Sequence, residues 1–207
     1  MSVKAGRKRR FNKGLALDKA MRVFWENGYS GTSLSDLTEA LKINKPSLYA
    51  AFGNKELLFK ACLEHYLVTY GLPIREDLFA SDDLPVRTRL QDYLYGFIKL
   101  FSGTTTPKGC FFVRSRCESG STNFPEQIAL YIKESDKERL KALSAFLKMH
   151  IQNGDLKEDT DTKSFANYLI SLLFGLAVQA RMGQSKKSLK NIVDTAINAH
   201  FETNLQQ

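Results

Sequence analysis

The chain reads as an all-α protein in which a small basic N-terminal helical module precedes a larger helical body. Three observations predict this. Apolar residues recur at three- and four-residue spacing over most of the 207 residues, and strand-like alternation is missing. Helix caps and breakers punctuate that pattern at plausible helix lengths. Positive charge is concentrated: residues 1–60 hold 12 Lys+Arg against 5 Asp+Glu, a balance of +7 within a whole-chain formal charge of +8. A general solubility device would be spread along the chain. A basic module followed by a nearly neutral body points to contact with a polyanion.

Composition narrows the class. With 43% hydrophobic and 25% charged residues, the chain has globular composition and buries a sizeable core without metal or disulfide. The longest apolar stretch, Tyr168 to Val178, falls short of the ~20 residues of a spanning helix, so no membrane is expected. The N-terminal MSVKAGRKRR is followed by Phe11-Asn12-Lys13 instead of an apolar signal region. Cys62, Cys110 and Cys117 are too few for a disulfide framework, and a cytoplasmic location is expected.

The first helix is predicted over Phe11–Asn27, with Ala16, Ala20, Val23 and Phe24 as its buried stripe and Gly28 as its end. Ser33 and Asp36 form a capping-box pattern before a short helix whose apolar face is Leu34, Leu37 and Leu41. Lys42-Ile43-Asn44 breaks that helix. Asn44 caps the next, and Pro46 is tolerated in its first turn. That helix carries Leu48, Tyr49 and Phe52 and stops at Gly53. Asn54 caps a fourth, from Lys55 to about Tyr70, which Gly71-Leu72-Pro73 is expected to stop. Longer amphipathic helices follow near 84–102, 109–119, 124–152, 162–182 and 187–203, separated by Gly-, Ser-, Thr- and Asn-rich breaks.

Two short helices joined by a few residues behind a basic arm describe a helix-turn-helix. The N-terminus of the second exposes backbone N–H groups and the positive end of the helix dipole to a phosphate backbone. The residues that carry this pattern are also recognisable. Gly28-Tyr29, Thr32 to Leu37, and the run Ile43 to Phe59 with its Leu-Tyr and Phe-Gly-x-Lys-Glu-Leu-Leu-Phe closely resemble the DNA-binding domain of TetR-family transcriptional regulators. The resemblance covers about residues 10–60 and is looser beyond.

It implies a homodimer that binds double-stranded operator DNA as a repressor and is released by a small-molecule effector of unknown identity. By the same resemblance Lys45, Pro46, Ser47 and Tyr49 touch bases or phosphates, Thr32 and Ser33 the DNA backbone, and Lys55 a phosphate. The division implied is residues 1–54, a basic arm and helix-turn-helix, and 55–207, an effector-binding and dimerisation domain, with the fourth helix as a rigid lever between them. Tyr49 is read either as a DNA contact or as a core aromatic, and Arg7 to Arg10 either as a minor-groove arm or as a loose tail.

Catalytic and metal signatures are missing, and no cofactor is expected: His65, His150 and His200 are scattered, and there is no Cys-x-x-Cys or glycine-rich phosphate loop. The expected cavity lining is Phe97, Phe101, Cys110, Arg114, Tyr131 and Phe174, with Arg114 as the group for an anion or carbonyl. Apolar stripes in the last two helices suggest a four-helix dimer interface that includes Leu173, Ala177, Ile192 and Ile197. Cys110 and Cys117, seven residues apart on one predicted helix, are ~10 Å apart along it and cannot pair there. Two rivals stand beside the repressor reading: a thiol-based electrophile or redox sensor on the same scaffold, and a helical ligand- or partner-binding module without DNA binding.

Overall fold

The computed structural model describes residues 12–80 and 83–202 and is helical throughout its regular parts. In α1 (Lys13–Asn27) the Asn12 side chain accepts the Leu15 N–H at 3.1 Å. Phe11 lies outside the described residues. The buried face is Ala16, Ala20, Met21, Phe24 and Trp25, while Val23, expected in the stripe, is only partly covered. Gly28 closes the helix at φ +79°, its N–H on the Phe24 carbonyl. A Cβ there would run into the Glu118 carboxylate and the Arg114 guanidinium, so the position is closed to side chains on two grounds.

α2 (Leu34–Leu41) opens with a complete capping box. Ser33 Oγ accepts the Asp36 N–H, and Asp36 accepts the Ser33 N–H at 2.7 Å. α3 (Lys45–Phe52) and α4 (Lys55–Tyr66) each begin with a single side-chain cap, Asn44 accepting from Ser47 N–H and Asn54 from Leu57 N–H. Lys42 makes the turn between α2 and α3 in the left-handed conformation, φ 55°.

The Gly71-Leu72-Pro73 segment does not stop the helix. The backbone passes through a π-helical turn at Leu67–Gly71 and continues as α5 (Leu72–Ala80). Leu72 N–H bonds to the Leu67 carbonyl, five residues back, so the α-helical ladder has already shifted where Pro73 offers no donor. After α6 (Val86–Phe101), α7 (Phe111–Glu118), α8 (Glu126–Gln152), α9 (Thr162–Arg181) and α10 (Lys186–Glu202) follow, each within two residues of expectation. Among the described residues no helix is long and apolar enough to cross a membrane.

Two apolar clusters organise these helices. One joins α1–α4 to Phe111 and Phe112 of α7, Phe124, and Ile128 and Ile132 of α8. The other joins α6, the distal part of α8, α9 and α10 through Leu90, Ile98, Phe146, Leu147, Leu169, Leu176 and Val193. Leu173, Ala177 and Ile197 are buried in this second cluster of their own chain. They lie behind the surface, which corrects their assignment to a dimer face; Ile192 is partly covered. The outward side of α9 instead presents Tyr168, Val178 (45% exposed) and Met182 (80% exposed).

Candidate nucleic-acid interface and internal cavity

Leu48 and Phe52 bury the inner face of α3 and leave Lys45, Pro46, Ser47 and Tyr49 exposed together on the outer face. Tyr49 is 45% exposed, which removes it from the core. Ser33 is exposed beside them. Thr32 is not: it is buried, and its hydroxyl donates to the Gly28 carbonyl at 2.6 Å. The DNA-backbone role assigned to it from the resemblance is therefore corrected for its side chain, which staples the α1–α2 turn. Lys55, the first residue of α4, is half-buried with Nζ 4.2 Å from the Tyr29 ring centroid. Burial lowers its pKa, against the pull of Glu118 and Asp36. The arm, including Arg7 to Arg10, lies outside the described residues.

The α1–α2 turn is held from behind. Glu118, at the end of α7, accepts the Ser30 N–H at 3.1 Å, and Arg114 lies 3.5 Å from the Glu118 carboxylate. Arg181 of α9 donates to the Glu26 carbonyl at 2.8 Å and to the Trp25 and Lys108 carbonyls. A guanidinium at the last carbonyls of α1 meets the negative end of its dipole. Arg22 reaches across to the Thr105 carbonyl.

A cavity of about 340 Å³ lies where the two clusters meet. Five of the expected lining residues are there: Phe97, Phe101, Cys110, Tyr131 and Phe174. Arg114 is not, because it faces the α1–α2 turn, and the cations of the cavity are Arg75 of α5 and Arg139 of α8. Leu173 lines it as well. Arg139 had a sequence signal. Tyr131, Glu134, Ser135, Glu138 and Arg139 recur at helical spacing and form the face of α8 turned to the cavity. Arg75 had none, since its helix was not expected.

The Tyr66 hydroxyl donates to Cys110 Sγ at 3.3 Å in the cavity wall. Tyr66 is fully buried, and burial raises its pKa well above the usual phenol value. All three cysteines are free thiols: Cys62 is buried, with its pKa driven upward by that burial, and Cys117 is exposed. Among the described residues no three His, Cys, Asp or Glu are placed to hold a metal ion.

An exposed helix-turn-helix face on a larger helical body defines a DNA-binding transcriptional regulator. Residues 16–62 match the model of the bacterial regulatory proteins of the tetR family, and residues 87–196 that of the tetracyclin repressor-like C-terminal domain. The chain belongs to the TetR family of transcriptional regulators. It is 34% identical to the HTH-type transcriptional repressor ComR of Escherichia coli K12 over 93% of this chain and 90% of that protein. It is 30% identical to the HTH-type regulator YezE of Bacillus subtilis 168, over 93% of this chain and 98% of that one. A solved structure of a cysteine mutant of the TetR-family regulator CifR, complexed with 26-base-pair operator DNA, superposes with a TM-score of 0.86 at 35% identity, covering 93% and 99% of the two chains.

The capping box of α2 carries a pH signature. Accepting the Ser33 N–H holds Asp36 below its ordinary carboxylate value. A carboxylate with a depressed folded pKa stabilises fully above its unfolded pKa of about 3.9, and loses that contribution as pH falls through the folded value. Asp36→Ala is therefore expected to lower the Tm at pH 7, with the deficit against the parent closing below about pH 4. Melting curves from pH 3 to 7 check this, and a deficit independent of pH would reject it.

Proposed function

We propose that the protein is a homodimeric transcriptional repressor, acting in the cytoplasm, whose hold on operator DNA is released when a small molecule fills the cavity. Residues 1–54 would read the DNA, and residues 55–207 would bind effector and partner. One observation carries the reading: the start of α7 lines the cavity with Cys110 and Phe112, and its last residue, Glu118, holds the α1–α2 turn. α4 makes a parallel connection, from Tyr66 in the cavity wall to Lys55 beside the DNA face. Two recognition helices reading successive major grooves must sit about 34–36 Å apart. A ligand that favours a form with another separation weakens DNA binding by the same factor.

The experiment is recovery of crosslinked DNA from cells, followed by band shifts on the recovered operator. Lys55→Ala is expected to weaken binding to all sequences and reduce the salt slope by about 1. Lys45→Ala and Ser47→Ala are expected to change which operator bases are preferred. Unchanged preference in both variants would remove base reading from α3.

For assembly, the outward face of α9, with Tyr168, Val178 and Met182, replaces the buried residues first considered. Val178→Asp is expected to yield a folded monomer with weakened operator binding. A monomeric parent at micromolar concentration in sedimentation would reject the dimer.

The cavity wall also favours a second reading, sensing through Cys110, because that thiol faces the chamber with the Tyr66 hydroxyl on it. On this reading N-ethylmaleimide releases operator from a Cys117→Ser variant and leaves the Cys110→Ser/Cys117→Ser variant bound. Equal responses would leave ligand occupancy alone as the trigger.

A further inference from the structure

The cavity is aromatic in its walls, and one half-buried guanidinium, Arg139, enters it with only a shared counter-charge. Phe97, Phe101, Phe112, Tyr131 and Phe174 supply rings from four helices. Arg139 enters among them, 6.0 Å from the Phe174 ring centroid. Its carboxylate partner is Asp136, at 3.4 Å, and Asp136 also pairs with Arg116. Two guanidinium groups thus share one carboxylate. Arg75 lines the same chamber, and no ion pair joins it to a carboxylate among the described residues. Arg75, Glu134 and Glu138 all stand at exposed positions around the chamber's mouth, Glu134 paired with Lys137 at 2.8 Å, which leaves Arg139 as the half-buried charge of the lining. The buried Tyr93, also in the lining, feels both Arg139 and Arg75, which oppose the rise that burial imposes on its hydroxyl. A desolvated guanidinium without a full counter-charge is costly, and a planar anion meets its fork with two hydrogen bonds.

We infer that the cavity takes an aromatic anion, a flat ring system bearing one carboxylate, sulfonate or phenolate, with the rings among Phe97, Phe101 and Phe174 and the charge on Arg139 and Arg75. The inference rests on the cavity being the effector site only for its regulatory meaning; binding itself is measured directly. The probes are 8-anilinonaphthalene-1-sulfonate and its uncharged counterpart N-phenyl-1-naphthylamine, titrated by fluorescence into the full chain. The sulfonate is expected to bind about tenfold tighter or better. Arg139→Gln is expected to remove most of that preference while leaving the neutral amine's affinity unchanged, and Arg139→Lys to retain part of it. Unchanged amine binding shows that the chamber is intact. If Arg139→Gln does not fold, Arg75→Gln, at an exposed position, carries the same comparison.

Equal affinity for the two probes, or a preference that survives both glutamine variants, overturns the inference. Band shifts on the recovered operator separate it from the effector reading. Charge-dependent binding with no DNA release supports the aromatic anion and rejects the cavity as the release site. Release by the neutral amine and not by the sulfonate overturns the anion and keeps the release site.

Discussion

Phe59 of α4 and Phe111 of α7 meet edge-to-face at 5.4 Å, and around them the N-terminal helices cease to be a separate unit. Phe59 also packs on Phe24 and Tyr29, and Tyr29 on Phe124 before α8. Trp25 of α1 stands against Tyr66 at 5.0 Å, and Tyr66 against Phe111 at 5.9 Å. Each such ring pair adds about 0.5–1.5 kcal/mol beyond the area it buries. More important is continuity: a close-packed seam transmits displacement, so a shift of α7 or α4 reaches the α1–α2 turn through side chains as well as through the Glu118–Ser30 bond.

The cavity follows from how α8 is divided. This helix of 27 residues is about 40 Å long, more than one cluster needs. Its beginning buries Ile128 and Ile132 in the seam, and its end buries Leu143, Phe146 and Leu147 in the distal core. Between them the inward face carries Tyr131, which rests on the edge of the seam, and Ser135 and Arg139, which neither core absorbs. A chamber walled by rings, with Arg139 on its long wall, is what remains when one rigid helix serves two apolar clusters.

Five of the helices have their starts written in local chemistry: Asn12, Ser33, Asn44, Asn54 and Asp161 each accept a backbone N–H there. α5 was not legible, because Gly71 and Pro73 read as a stop unless the preceding π turn is known, and that turn is set by packing. The outer face of α3 was legible only through the resemblance, and the burial of Leu48 and Phe52 decides the side of Tyr49, which the sequence leaves open. Thr32 was misplaced because a short polar residue beside a cap looks the same whether it faces solvent or a carbonyl. Arg114 was misplaced because a helix of eight residues points its charges to opposite sides, and only tertiary contacts decide which side is the cavity. Leu173, Ala177 and Ile197 failed for a similar reason, since an apolar stripe does not say whose core it fills.

Trp25 is the chain's single tryptophan. Its ring is fully buried and touches Tyr66 and Tyr70 on one helical run and Phe111 on α7. Tyr66 is at once its neighbour and a wall of the cavity. The protein therefore contains its own spectroscopic observer, with no dye or label to be introduced. Indole emission senses the polarity and quenchers within a few ångströms, and here those few ångströms are the joint between the chamber and the DNA-reading helices.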